Sequence, residues 1–174
     1  PITALSSDQL VTRNLMEIRD LEKLSPNTAS DYSSVNGTAI QVFMRGIGQV
    51  NWAATQDPKI GIYVDGVYYS RPQGALIDFN DVERVEVLRG PQGTLFGRNT
   101  TAGLIHIINN RPSTDGSESD ITLGAGNDGQ NNYGLVVNAP LSGNWAARLA
   151  LSGQQADGVI INAATGNDRG NEDS

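Results

Sequence analysis

Residues Asp81 to Asn110 read DVERVEVLRGPQGTLFGRNTTAGLIHIINN. A charged strand, a Gly-Pro turn, a Gly-rich loop and an apolar strand follow one another, with Gly90, Gly93, Gly97 and Gly103 between or beside the strands. A phosphate-binding P-loop requires Gly, four spacers, then Gly-Lys-Ser/Thr. Here three residues separate Gly93 from Gly97, and Arg98-Asn99 follow. A dinucleotide fingerprint opens a helix, whereas the apolar run Leu104–Ile108 comes next. The glycines therefore read as turn formers that give positive φ or close backbone approach. Gly90, Pro91, Gly93 and Gly97 form the structural turn, with Gly46 and Gly66 in equivalent roles earlier in the chain.

No catalytic constellation accompanies this stretch. His106 is the only histidine and lies within the strand-like LIHII, so it reads as structural. The chain has no cysteine, which removes disulfides and thiolate chemistry. No serine stands in a Gly-x-Ser-x-Gly elbow. Asp78, Asp81, Glu83 and Glu86 interleave with Arg84 and Arg89, which suits an ion-pair network better than acid–base work. Strand alternation puts Arg84 and Glu86 on one face and Glu83 and Arg89 on the other. A strand charged on both faces points to a domain surrounded by polar walls.

Toward the N-terminus, IGIYVDGVYY is strand, Asp65-Gly66 turn, strand. AIQVFMRG, ending at Gly46, is a further strand, and NWAATQDP and SRPQGALIDF are loops. Residues 1–30 are expected to be helical. Ser6 and Gln9 have capping-box spacing, and Leu10, Leu15, Ile18, Leu21 and Leu24 form an apolar stripe up to Pro26. Residues 40–110 thus read as a compact mixed α+β domain.

Toward the C-terminus, SDITLGAGN, NNYGLVVNA and NWAARLALSG alternate apolar with small or polar residues, and PLSGN makes a turn at 140–144. Membrane β-barrel strands have this length and alternation. On periodicity alone, a soluble sheet with one wet face stands ahead. The polar tail NAATGNDRGNEDS reads as a mobile loop. The net charge of −7 is divided unevenly, −1 over residues 1–113 and −6 over residues 114–174. The acidic end argues against a nucleic-acid partner. No run is long and apolar enough for a membrane helix, and no signal segment opens the chain. Pro1 is not a natural start, so the chain reads as a fragment.

DVERVEVLRGPQGTLFGRNTTAGLIHIINNRP closely resembles the most recognisable motif of TonB-dependent outer-membrane receptors. VFMRGIG and DPKIGIYVDGVYYSRPQGALIDF match the plug domain of the same family in the same order, and PITALSSDQL…IRDLEKLSP is similar to its first segment. The resemblance is dense over residues 1–113. NAPLSGNWAARLALSGQQADG resembles the start of the barrel, which reverses the order of the two readings for those strands.

The resemblance implies an α+β plug domain over 1–113, a small mixed sheet with short helices. Residues 114–174 would then be the first antiparallel strands of a 22-stranded transmembrane β-barrel, here truncated. It implies no enzyme activity and no cofactor or metal. It implies energy-coupled uptake of a scarce nutrient, a ferric siderophore or other iron chelate, haem, cobalamin or a saccharide. The implied partners are TonB of the inner-membrane energising complex, through a box expected upstream of Pro1, and outer-membrane lipid. The cell outer membrane of a Gram-negative bacterium is the implied location. Apical loops Gln49–Gln56 and Tyr69–Ala75 would touch substrate through Asn51, Trp52, Tyr69, Arg71 and Gln73. Glu83, Arg84, Glu86 and Arg89 would make ionic contacts between plug and barrel, with Arg148 pairing to Glu83 or Glu86. A soluble α+β ligand-binding module and a nucleotide-using enzyme are the alternatives.

Overall fold

The computed structural model describes residues 2–23, 25–32, 39–49, 57–70, 78–127, 129–156, 160–161, 168–169 and 172–173. The chain forms two compact units, Pro1–Asn110 and Arg111–Ser174.

The first unit contains β1 (Ile2–Ser6), α1 (Ser7–Thr12), a 3-10 helix (Ile18–Lys23), β2 (Thr28–Tyr32), β3 (Ile40–Met44) and β4 (Ile47–Gly48). It continues with β5 (Ile60–Val64), β6 (Val67–Tyr69), β7 (Val82–Arg89), α2 (Gly93–Phe96) and β8 (Gly103–Asn109). Its main sheet has the order β1-β7-β8-β5-β6, and a second sheet has the order β2-β3-β4. Every pairing in the main sheet is antiparallel except β5 with β8. That parallel pair places Ile62 beside Ile105 and Val64 beside Ile107. The expected hairpin forms, and both residues of its Asp65-Gly66 turn have positive φ, as a primed turn requires.

The core lies on one face of the main sheet. Val85 and Val87 of β7, Ile105 and Ile107 of β8, and Ile60 and Ile62 of β5 are buried there with Met44 of β3. This corrects the expectation that β7 is charged on both faces. The face shared by Glu83 and Arg89 is apolar in its middle, where Val85 and Val87 are sealed, and charged only at its ends. Local composition counted the charges; burial depends on where along the strand they fall.

A single helical reading of residues 1–30 is also corrected. Ile2–Ser6 pairs as an edge strand with β7, from Ile2 opposite Leu88 to Ser6 opposite Arg84. The helix that follows has only six residues. The Gln9 side chain accepts the Ser6 amide, half of the capping box. Asn14 takes positive φ beyond the helix. The stripe found buried residues, but in two short helices rather than one: Leu10 is buried in α1, Ile18 and Leu21 in the 3-10 helix, and Leu15 between them. Leu24 lies outside the described residues. Pairing with β7 outweighs local helix propensity, which is a weak prior.

The second unit contains β9 (Glu118–Ala125), β10 (Asn131–Pro140) and β11 (Ala146–Ala156), followed by β12 (Ile160–Ile161), β13 (Asp168–Arg169) and β14 (Glu172–Asp173). β9, β10, β11 and β14 form one antiparallel sheet. No closed barrel forms among the described residues. The tail expected to be a loop therefore contributes short strands at Asp168–Arg169 and Glu172–Asp173.

Registry gives this sheet two unlike faces. Tyr133 lies opposite Leu123, Leu135 lies between Ile121 and Leu151, and Val137 lies opposite Leu149. Ile121, Leu123, Tyr133, Leu149 and Leu151 are all more than half exposed. On the other face, Glu118, Asn138 and Arg148 form a cross-strand row, with Thr122, Gly134 and Ser152 in a second row.

Candidate ligand-facing site

The directions of the strands decide which loops meet. β7 and β6 finish, and β5 and β8 begin, at the same end of the main sheet. The loop between β7 and β8 rises there, beside the segments that enter β5 and leave β6. The Asp65-Gly66 turn lies at the opposite end. There Asp65 accepts the backbone amide and the side-chain amide of Asn109, each at 2.9 Å.

The loop from Gly90 to Ala102 is closed at its base. The Gly90 amide donates to Ala102 O at 2.8 Å, and the Gln92 amide donates to Thr100 O at 3.0 Å. The Ala102 amide donates to Lys59 O at 3.0 Å, which joins the loop to the entry of β5. Within it, Thr100 Oγ1 donates to Gly97 O at 2.7 Å, and Thr100 is fully buried.

An aromatic cluster seats this loop on the sheet face opposite the core. Tyr63 packs against Phe96 with ring centroids 5.1 Å apart and against Tyr68 at 5.3 Å. The Tyr63 hydroxyl donates to the Phe96 carbonyl. Asn99 Nδ2 donates to the Tyr68 hydroxyl at 2.8 Å. Burial pushes both phenols up, so they stay protonated at neutral pH. Leu95, at the loop's tip, is 82% exposed. A large apolar side chain held out by a rigid loop is suited to contact something else.

Two glycines make the arrangement possible. Gly97 has φ of 84° where α2 ends. Gly103 has φ of 154°, and a Cβ there would press on the Leu88 carbonyl oxygen and the Met44 sulfur. Gly46 and Gly90 also take positive φ, Gly93 begins α2, and Pro91 is exposed between them.

Cations gather at this end. Arg45, Lys59 and Arg98 are exposed, and Arg45 Nη1 approaches Gly90. Arg89 donates to Thr3 Oγ1 at 2.8 Å and to Pro26 O at 3.2 Å. Asp57 stands 3.5 Å from Arg98 in a solvent-exposed pair, an interaction of little energetic weight.

Tyr69 ends β6 at this same end of the sheet and is 40% exposed. Asn51, Trp52, Arg71 and Gln73 lie outside the described residues. Sequence reading missed Tyr68, Leu95, Phe96, Arg98 and Asn99. The available signal was Leu95-Phe96, an apolar pair set between Gly93 and Gly97 where a bare turn needs none.

The charged residues of β7 pair close to home. Arg84 contacts Glu83 and donates from Nε to Glu86 at 2.9 Å. Glu86 lies directly opposite His106, whose Nδ1 is 3.5 Å away. In the second unit, Arg148 Nη1 donates to Glu118 at 2.9 Å. Arg148 thus has a carboxylate partner within its own unit. No group of three or more metal-ligating side chains occurs among the described residues.

A family model described as the TonB-dependent Receptor Plug Domain matches residues 1–104. The chain belongs to this family, whose members are outer-membrane receptors of Gram-negative bacteria. It is 29% identical over 165 residues to the vitamin B12 transporter BtuB of Vibrio vulnificus, covering 91% of this chain and 25% of that protein. It is 34% identical over 116 residues to the pesticin receptor of Yersinia enterocolitica, covering 64% of this chain and 16% of that protein. Among solved structures it resembles the ferric yersiniabactin uptake receptor FyuA of Yersinia pestis. The TM-score is 0.86 at 27% identity, covering 98% of this chain and 27% of that one. The chain therefore spans about a quarter or less of the length of these relatives.

Proposed function

We propose that the protein is a TonB-dependent transporter whose plug helps bind a negatively charged nutrient for energy-coupled uptake. The observation that carries the ligand class is the charge of one sheet end. Arg45, Lys59 and Arg98 are exposed there, and Asp57 pairs with Arg98 at 3.5 Å. A surface of one sign draws in ligands of the other. Ferric chelates bearing carboxylate or catecholate oxygens fit this better than a neutral ligand does. The relatives are a vitamin B12 transporter and a ferric yersiniabactin uptake receptor by name, so both ligand classes belong in the test.

The second unit is read as the first barrel strands. Its exposed apolar face would meet lipid and its polar face the lumen. Glu83, Arg84, Glu86 and Arg89 are proposed to contribute to plug–barrel ionic contacts, and TonB is the proposed energising partner. A self-contained soluble module is disfavoured by the size of the exposed apolar face.

The experiment is binding by the full-length gene product of a panel of anionic ferric chelates and of cobalamin, at low and high salt. An anionic chelate is expected to bind tightest, with affinity falling as salt rises. In the Arg45→Gln/Arg98→Gln double variant, affinity should fall about tenfold or more. Cobalamin binding without salt dependence would overturn the ligand class and leave the family function standing. Absence of any nutrient binding or uptake would overturn both.

A further inference from the structure

Two asparagines hold the chain on either side of the boundary between the units, each inside its own unit. On the first side, the Asn110 amide donates to Asp81 O at 3.1 Å, and Asn110 Nδ2 donates to Asp81 Oδ1 at 2.9 Å. On the second side, the Asn138 side chain, 2% exposed, grips the peptide of Ser113 in both directions. Ser113 N donates to Asn138 Oδ1 at 2.9 Å, and Asn138 Nδ2 donates to Ser113 O at 2.9 Å and to Gly116 O at 2.8 Å. This one amide side chain satisfies an N–H and two carbonyls at once, using both of its donors. Ser113 closes its own turn besides, exchanging hydrogen bonds with Asp115.

Asn138 belongs to the polar face of β10, between Glu118 and Arg148, whose side chains pair with each other across the intervening strand. The Ser113–Gly116 segment is therefore strapped to the sheet by a buried side chain. What remains unanchored between Asn110 and Ser113 is Arg111-Pro112.

We infer that Arg111-Pro112 is a two-residue joint, and that Asn138 is the positioning residue that keeps it short. Pro112 fixes its own φ and restricts Arg111 to extended conformations. A joint of that kind bends at few bonds. Releasing Asn138 frees the five residues before β9 begins at Glu118. At ~3.4 Å per extended residue this adds ~17 Å of reach. The clamp thus sets how far one unit can travel from the other before a buried hydrogen-bond network must break. This geometry is independent of the ligand's identity and of transport.

The test uses the full-length gene product with Asn138→Ala, and Thr122→Ala as a variant on the same sheet face that leaves the strap alone. Hydrogen exchange of the peptide covering residues 111–118 is read beside peptides from β10 and β11. Spin labels at Arg13→Cys and Ser142→Cys, both exposed, report the width of the distance distribution between units. Asn138→Ala is expected to speed exchange at Ser113 about tenfold and broaden the distribution, with β10 and β11 unchanged and Thr122→Ala silent. Unchanged exchange and unchanged width in Asn138→Ala would overturn the inference.

If Asn138→Ala does not fold, a Gly-Ser insertion after Pro112 serves in its place. It should broaden the distribution with Ser113 still protected. An unchanged width after that insertion overturns the joint.

Discussion

The Tyr63 hydroxyl on β5 donates to the Phe96 carbonyl, 33 positions later in the chain. One phenol ties the exposed loop between β7 and β8 to β5 of the main sheet, and its ring supports Phe96 from beside.

Tyr63→Phe keeps the ring and removes the tie. It leaves the Phe96 carbonyl without that donor, at a cost of about 1–2 kcal/mol. Thermal melting should fall by a few degrees. If the loop around Leu95 touches the ligand, affinity should also fall severalfold, because the loop loses a support. An unchanged affinity at reduced stability would remove the loop from the ligand site.

Gly103→Ala places a methyl group against the Leu88 carbonyl oxygen and the Met44 sulfur, at a φ that L-residues rarely adopt. A loss of about 3 kcal/mol is expected, read as a lower urea midpoint. Gly93→Ala is the control. Its Cβ would meet open space, and its stability should change by less than about 0.5 kcal/mol.

Asp20 predicts an acid response. Burial pushes its carboxyl up, but the hydrogen bond from Lys23 and the amides of Met16 and Glu17 together bring it below its ordinary value. A depressed carboxyl contributes stability that is present above its unfolded pKa and is lost as pH falls through the folded one. Melts followed by a fluorophore on the first unit should therefore lose stability below about pH 4. Asp20→Asn should be less stable at neutral pH and should show a weaker acid loss. Equal acid profiles for the two proteins would contradict this account.

The two faces of the second sheet predict opposite responses to charge. Leu149→Arg falls on the exposed apolar face, opposite Val137. In a membrane barrel it should cost about 2–4 kcal/mol near the bilayer midplane and reduce folding into lipid vesicles. Thr122→Arg falls on the polar face, opposite Gly134, and should fold nearly as well as the parent. Similar folding yields for both would count against lipid contact on the Leu149 face.

The sequence was legible where the signal is local. Asp65-Gly66 calls for a primed turn because both residues must take positive φ, and they do. Alternation in NNYGLVVNA and NWAARLALSG sorts side chains onto two faces because strand side chains alternate. The length and order of the Asp81–Asn110 motif were enough to indicate the family.

Partners distant in sequence were not legible. No local rule states that β8 runs parallel to β5 between β7 and that strand, or that Ile2–Ser6 becomes an edge strand instead of a helix. Those choices rest on which apolar faces seal one core, and that energy exists only once the whole sheet is assembled. The same assembly brings the entry to β5, the exit from β6 and the loop around Leu95 to one end. In the second unit, pairing of β10 with β9 and β11 turns Asn138, an ordinary polar residue in an alternating strand, into a buried clamp on Ser113.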